Sequence, residues 1–157
     1  MVEYSFDGVI GTSILDPVSL AAKCGSFAVW GCLYKWCLRM YPHRSPEWAT
    51  RVLTLLHGLL ATVVGFSQCD PSCLSSERLS TKCMPHHYAL MLWSWGYFAF
   101  DFLWCSVYWR DNVLMLSHHG AALMSITLYM RRQYTGCAFA CCLTLLEASN
   151  PLLQLRW

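Results

Sequence analysis

Charge is what this sequence has least of. Asp, Glu, Lys and Arg make up only 13% of its 157 residues, about half the quarter share ordinary for a soluble domain. The net charge is +2, and the basic residues are scattered among short breaks, so there is no electrostatic footprint for nucleic acid. Residues 1–16 lack the basic stretch that opens a secretory signal peptide. Glu3 and Asp7 stand there instead, and insertion is expected to rely on the first long helix. The paired C-x2-C spacing of a structural zinc module is missing as well, and no cofactor or metal is expected.

Apolar side chains fill the space that charge leaves. The chain is 56% hydrophobic and 15% aromatic, with mean hydropathy +0.37. The apolar residues fall in blocks of bilayer-spanning length, about 20 residues each. This pattern predicts an all-α polytopic transmembrane bundle of about five spans, over 17–38, 46–66, 88–109, 113–130 and 136–156, preceded by a segment 1–16. Asp16-Pro17 and Ser45-Pro46 each read as an N-cap followed by proline at the first helical position. Lys23 and Lys35 lie near the ends of the first span, where they can snorkel. Trp93, Trp95, Trp104 and Trp109 suggest an interfacial belt on the third.

Ten cysteines are present. Cys24, Cys32, Cys37, Cys105, Cys137, Cys141 and Cys142 lie in or at the ends of apolar blocks and are expected to pack as small side chains. Cys69, Cys73 and Cys83 share the polar loop 67–87 with His86 and His87. Two of these three are expected to pair if the loop faces an oxidising lumen. The basic break around Arg39, Arg44 and Arg51 favours the cytosol. Alternation then puts the cysteine loop in the lumen, together with Arg131 and Arg132, against the same rule.

Ionisable groups inside the apolar blocks mark a site or an internal contact, because they are costly at membrane depth. The second block carries Thr50, Thr54, His57, Ala61 and Gly65 at helical spacing, a small polar face suited to close packing, with His57 making a hydrogen bond across helices. On the third, Ser94, Tyr97, Asp101, Cys105 and Tyr108 share a face. On the fourth, His118 lies with Ala121, Ala122 and Ser125, while His119, turned about 100° away, lies with Met115, Leu123 and Ile126. The fifth has a stripe of Thr144, Glu147, Asn150 and Gln154. There Pro151, which has no N–H, frees the carbonyl of Glu147. A histidine in such a pocket can act as general base, with a carboxylate to orient it. The candidate catalytic residues are therefore His118, His119, Glu147 and Asp101. The same four can equally form a structural network, with His57, Thr144 and Asn150 in the polar core. A small carrier with a midplane site lacks its usual sign, a pair of broken helices in corresponding halves.

The succession Tyr97-Phe98-x-x-Asp101, Leu116-Ser117-His118-His119 and Glu147-x-Ser149-Asn150-Pro151-Leu152-Leu153-Gln154-x-Arg156-Trp157 resembles the TLC-domain family. The resemblance covers roughly residues 36–157. It implies a multi-pass protein of the endoplasmic reticulum or another endomembrane, acting on or sensing membrane lipids. Among relatives of this kind, ceramide synthases join an acyl chain from acyl-CoA to a sphingoid base, and others are linked to phospholipid composition. The resemblance places His118-His119 at the family's His pair. It places Glu147 and Asn150 at two aspartates three residues apart, so an amide stands where the second carboxylate would be. It also implies at least one further hydrophobic helix, which makes this chain look like a shortened form. The fifth helix would then expose its polar stripe unless a membrane-protein partner covers it.

Overall fold

In a computed structural model, residues 17–74, 83–132 and 134–155 are described. Within them the fold is all α, a helical bundle. The elements are α1 (Pro17–Met40), α2 (Pro46–Gln68), a short 3-10 turn (Pro71–Leu74), α3 (Pro85–Tyr108), α4 (Val113–Met130), α5 (Gly136–Glu147) and α6 (Asn150–Leu155).

Local chemistry sets the starts. Ser45 accepts a hydrogen bond from the backbone N–H of Trp48, and Pro46 and Glu47 occupy the first turn of α2, a favourable arrangement of cap, fixed φ and dipole-matched charge. Asn112 caps α4 through the N–H of Met115. His87 Nδ1 accepts from the N–H of Met84 at the start of α3. Before α5, Thr135 takes a left-handed backbone conformation, φ 79°, which turns the chain out of α4.

Helix α3 is the axis. It packs most extensively against α1 on one side and α4 on the other, while α5 and α6 lie on α2. Helix α4 barely touches α5 among the described residues, which leaves a cleft between them. The α1–α3 seam is pinned by Ser26 Oγ donating to the Leu92 carbonyl, Trp30 Nε1 to the Trp93 carbonyl, and Trp104 Nε1 to the Tyr34 hydroxyl. Gly96 allows this approach, since a Cβ there would collide with Ser26. The same logic holds at Gly65, where a Cβ would meet Thr144. Small residues at such crossings are how helices associate without a hydrophobic drive between them.

Three helical stretches are long and apolar enough to cross a membrane: Pro46–Gln68, Val113–Met130 and Gly136–Gln154. Helices α1 and α3 have 24 residues each but carry more polar and aromatic side chains. The outward surface is strongly apolar. Val63, Phe66, Leu114, Leu145, Leu146 and Leu152 are all more than 60% exposed, a surface that water would not tolerate in a monomeric domain.

Several local expectations are corrected. Lys23 does not snorkel outward; it is buried, with its ammonium over the Trp95 ring at 5.9 Å. The tryptophans of α3 do not form an outward belt. Trp104 is buried, and Trp95 Nε1 donates to Thr127 Oγ1. The N–H groups of Trp95 and Trp104 find partners on neighbouring helices, which holds those two rings inward. Cys141 is more than a packing residue: it forms a disulfide with Cys69, 72 positions away. The end of α2 abuts α5, so this thiol is brought to Cys69 through space. Cys137 is also disulfide-bonded, and Cys83 is free and buried. The side chain of Cys73 and the residues 75–82 lie outside the described part.

Candidate functional site

Because the helices alternate in direction, the start of α2, the end of α3, the start of α4 and the α5–α6 break meet at the end of the bundle away from the disulfide. There they enclose a cavity of about 520 Å³. Its walls include Thr50, Arg51, Tyr97, Asp101, Cys105, His118, His119, Glu147, Asn150 and Gln154. The structure thus brings all four candidate catalytic residues to one cavity, and Asn150 with them.

The two carboxylates each lie beside a histidine, Asp101 by His119 and Glu147 by His57, which sits behind the cavity wall. Asp101, on α3, is 6% exposed. One of its oxygens accepts from Thr50 Oγ1 at 3.3 Å, and the other lies 3.1 Å from His119 Nε2. That nitrogen is close, yet its N–H direction misses the oxygen, and neither ring nitrogen of His119 makes a hydrogen bond. Glu147 accepts from Asn150 Nδ2 at 2.7 Å and lies 3.6 Å from His57 Nδ1. His57 is fully buried, shares a hydrogen bond with Ser94 at 3.3 Å through Nε2, and stacks on Tyr97 with ring centroids 4.0 Å apart. The Tyr97 hydroxyl donates to Thr54 Oγ1, which donates to the Thr50 carbonyl. Thr50, Thr54, Tyr97 and Asp101 thereby form one linked polar strip between α2 and α3.

His118 stands apart from these pairs. It is exposed and borders both the polar cavity and a second, mainly apolar cavity of about 370 Å³. That second cavity occupies the α4–α5 cleft and is lined by Ala121, Ala122, Ser125, Ile126, Phe139 and Leu143 among others. Phe98, Glu147 and Asn150 are also common to the two. The polar space and the apolar space are therefore adjoining.

The carboxylates do not each serve the His pair. Asp101 reaches His119, while the nearest histidine to Glu147 in these contacts is His57. The polar stripe of α5 is not left open either: Thr144 and Glu147 are buried against α2. Thr144 spends its hydroxyl on the Ala140 carbonyl and fills the notch at Gly65, a packing role. What α5 exposes is Leu145 and Leu146. The chain breaks helical form between Glu147 and Asn150, and the ring of Pro151 would sit 3.3 Å from a Cβ at Gly58. Sequence reasoning put Cys105 on the face of Asp101, as one of the groups that could satisfy its carboxyl, but not among the candidate site residues. Its Sγ, a carboxylate oxygen of Asp101 and a ring nitrogen of His119 lie within 4.8 Å of one another. The i, i+4 spacing of Asp101 and Cys105 was the available signal; the third member comes from another helix.

An apolar helical bundle with ionisable residues paired in its interior defines an integral membrane protein. The family model for the TLC domain matches residues 47–157, and the chain belongs to that family. No solved structure matches it.

Proposed function

We propose that this protein binds a membrane lipid and acts in membrane lipid homeostasis, with the headgroup in the cavity at Asp101, His118 and Glu147 and an acyl tail in the α4–α5 cleft. The observation that carries this reading is the junction of a polar cavity with an apolar one at His118. Ligand sites are concave and mostly apolar, with a few convergent polar groups, and an amphiphile needs both halves. Helices α1 and α3 complete five spans in this reading. The run Arg44-Ser45-Pro46-Glu47-Trp48, with Leu55-Leu56-His57-Gly58 after it, most resembles TLC domain-containing protein 5. The disulfide at the end of α2 suits an oxidising lumen, such as that of the endoplasmic reticulum, and the polar cavity then opens at the cytosolic end. The test is lipid extraction from the purified protein. Lipid should be retained through detergent exchange and lost on Ser125→Trp, which fills the cleft. Equal lipid in both proteins would overturn the reading.

A second reading, acyl transfer from acyl-CoA to a lipid amine or hydroxyl, draws on the position of His118. It alone of the histidines borders both cavities, where a general base would meet a nucleophile at the head of a bound lipid. His119, beside Asp101, belongs to the wall. A lipid product that appears with the wild-type chain and disappears in His118→Ala would favour this reading. An unchanged cellular lipid profile with well-folded mutant protein would remove it.

A further inference from the structure

Asp101, Cys105 and His119 have a geometry that hydrogen bonding does not account for. All three are buried, at 6%, 2% and 7% exposure, and their donor atoms converge within 4.8 Å. His119 Nε2 and Asp101 Oδ2 approach to 3.1 Å, yet neither ring nitrogen of His119 makes a hydrogen bond. A buried, unsatisfied imidazole costs stability unless something else takes its lone pair. Two ligands on a tetrahedral zinc ion, each about 2.0–2.1 Å from the metal, stand roughly 3.3 Å apart. The observed approach is close to that separation.

We infer that Asp101, Cys105 and His119 form a binding site for a divalent zinc-type cation, with its fourth position open to the polar cavity. The donor types match zinc, which accepts thiolate, imidazole and carboxylate together. Charge supports the same assignment. One carboxylate, one thiolate and one neutral imidazole together neutralise a divalent ion, and a net-neutral cluster is far cheaper at membrane depth than a lone ion. Thr50, donating to the other oxygen of Asp101, orients the carboxylate from outside the cluster, as partners of metal ligands commonly do. Three protein ligands with one open position is the arrangement that lets a metal meet a ligand from the cavity. The inference rests on reading the cavity as a binding site, but metal content and lipid retention are measured separately, so either can fail without the other.

The experiment is elemental analysis of the full chain purified in detergent without chelator, beside Cys105→Ala, His119→Ala and, as a control away from the cluster, Cys142→Ala. Zinc should be near stoichiometric in the wild-type chain and in Cys142→Ala, and lost from the other two at matched circular dichroism. Cobalt(II) titration of the wild-type and Cys142→Ala proteins serves should either cluster variant fail to fold. A thiolate-to-cobalt charge-transfer band should appear in both. No zinc and no cobalt band in the wild-type chain, or zinc equal in all four proteins, would overturn the assignment.

Discussion

Thr50 shows how a single hydroxyl is used here: it joins α2 to the one carboxylate that α3 carries. Thr50→Val keeps the shape and removes the bond. The expected cost is about 1 kcal/mol, seen as a lower midpoint of thermal unfolding in detergent and abolished when Asp101→Ala, which has no acceptor for the hydroxyl, is already present. Gly65 has the opposite problem, too little room. Gly65→Val would push against Thr144, with a cost of roughly 1–3 kcal/mol; unchanged unfolding would mean that α2 and α5 are not in close contact. Asp101, His118, His119 and Glu147 were legible in the sequence because ionisable groups stand out in apolar blocks. Their partners were not. The pairing of His57 with Glu147 depends on α2 lying beside α5, and no spacing within one helix reveals that. Cys83 lies outside the spans, and burial raises its thiol pKa. The reactive thiolate is correspondingly scarce, so alkylation of native protein at neutral pH should spare Cys83 until the chain is unfolded.

Among the elements, α2 and α5 are joined by a covalent bond as well as by packing. Removing the Cys69–Cys141 disulfide by Cys69→Ser should cost about 2 kcal/mol, the low end of the usual range, because the bilayer already limits how far the two helices can separate. Reductant should lower the unfolding midpoint of the wild-type chain more than that of the variant. The helix starts at Pro17 and Pro46 were readable from proline, that of α2 also from the Ser45 cap, and the break before α6 from Pro151; Asp16 lies outside the described residues. The inward turn of the α3 tryptophans was not readable, since an indole N–H suits an interface and a neighbouring helix equally well. It took Tyr34 and Thr127 on adjoining helices to decide it.

At the scale of the molecule, helical periodicity and apolar blocks gave the class of fold, but not the gap between α4 and α5. That gap arises because α4 packs on α3 while α5 packs on α2, with little direct contact between α4 and α5. It gives the polar cavity its apolar annex, and the functional account depends on it. The most direct test is photo-crosslinking in membranes with a lipid that carries a diazirine on its acyl tail, read by peptide mass spectrometry. Occupancy of the cleft predicts crosslinks concentrated on Ile126, Phe139 and Leu143, and their loss in Ser125→Trp. Crosslinks confined to the outward face at Leu145 and Leu152, with none in the cleft, would contradict the account.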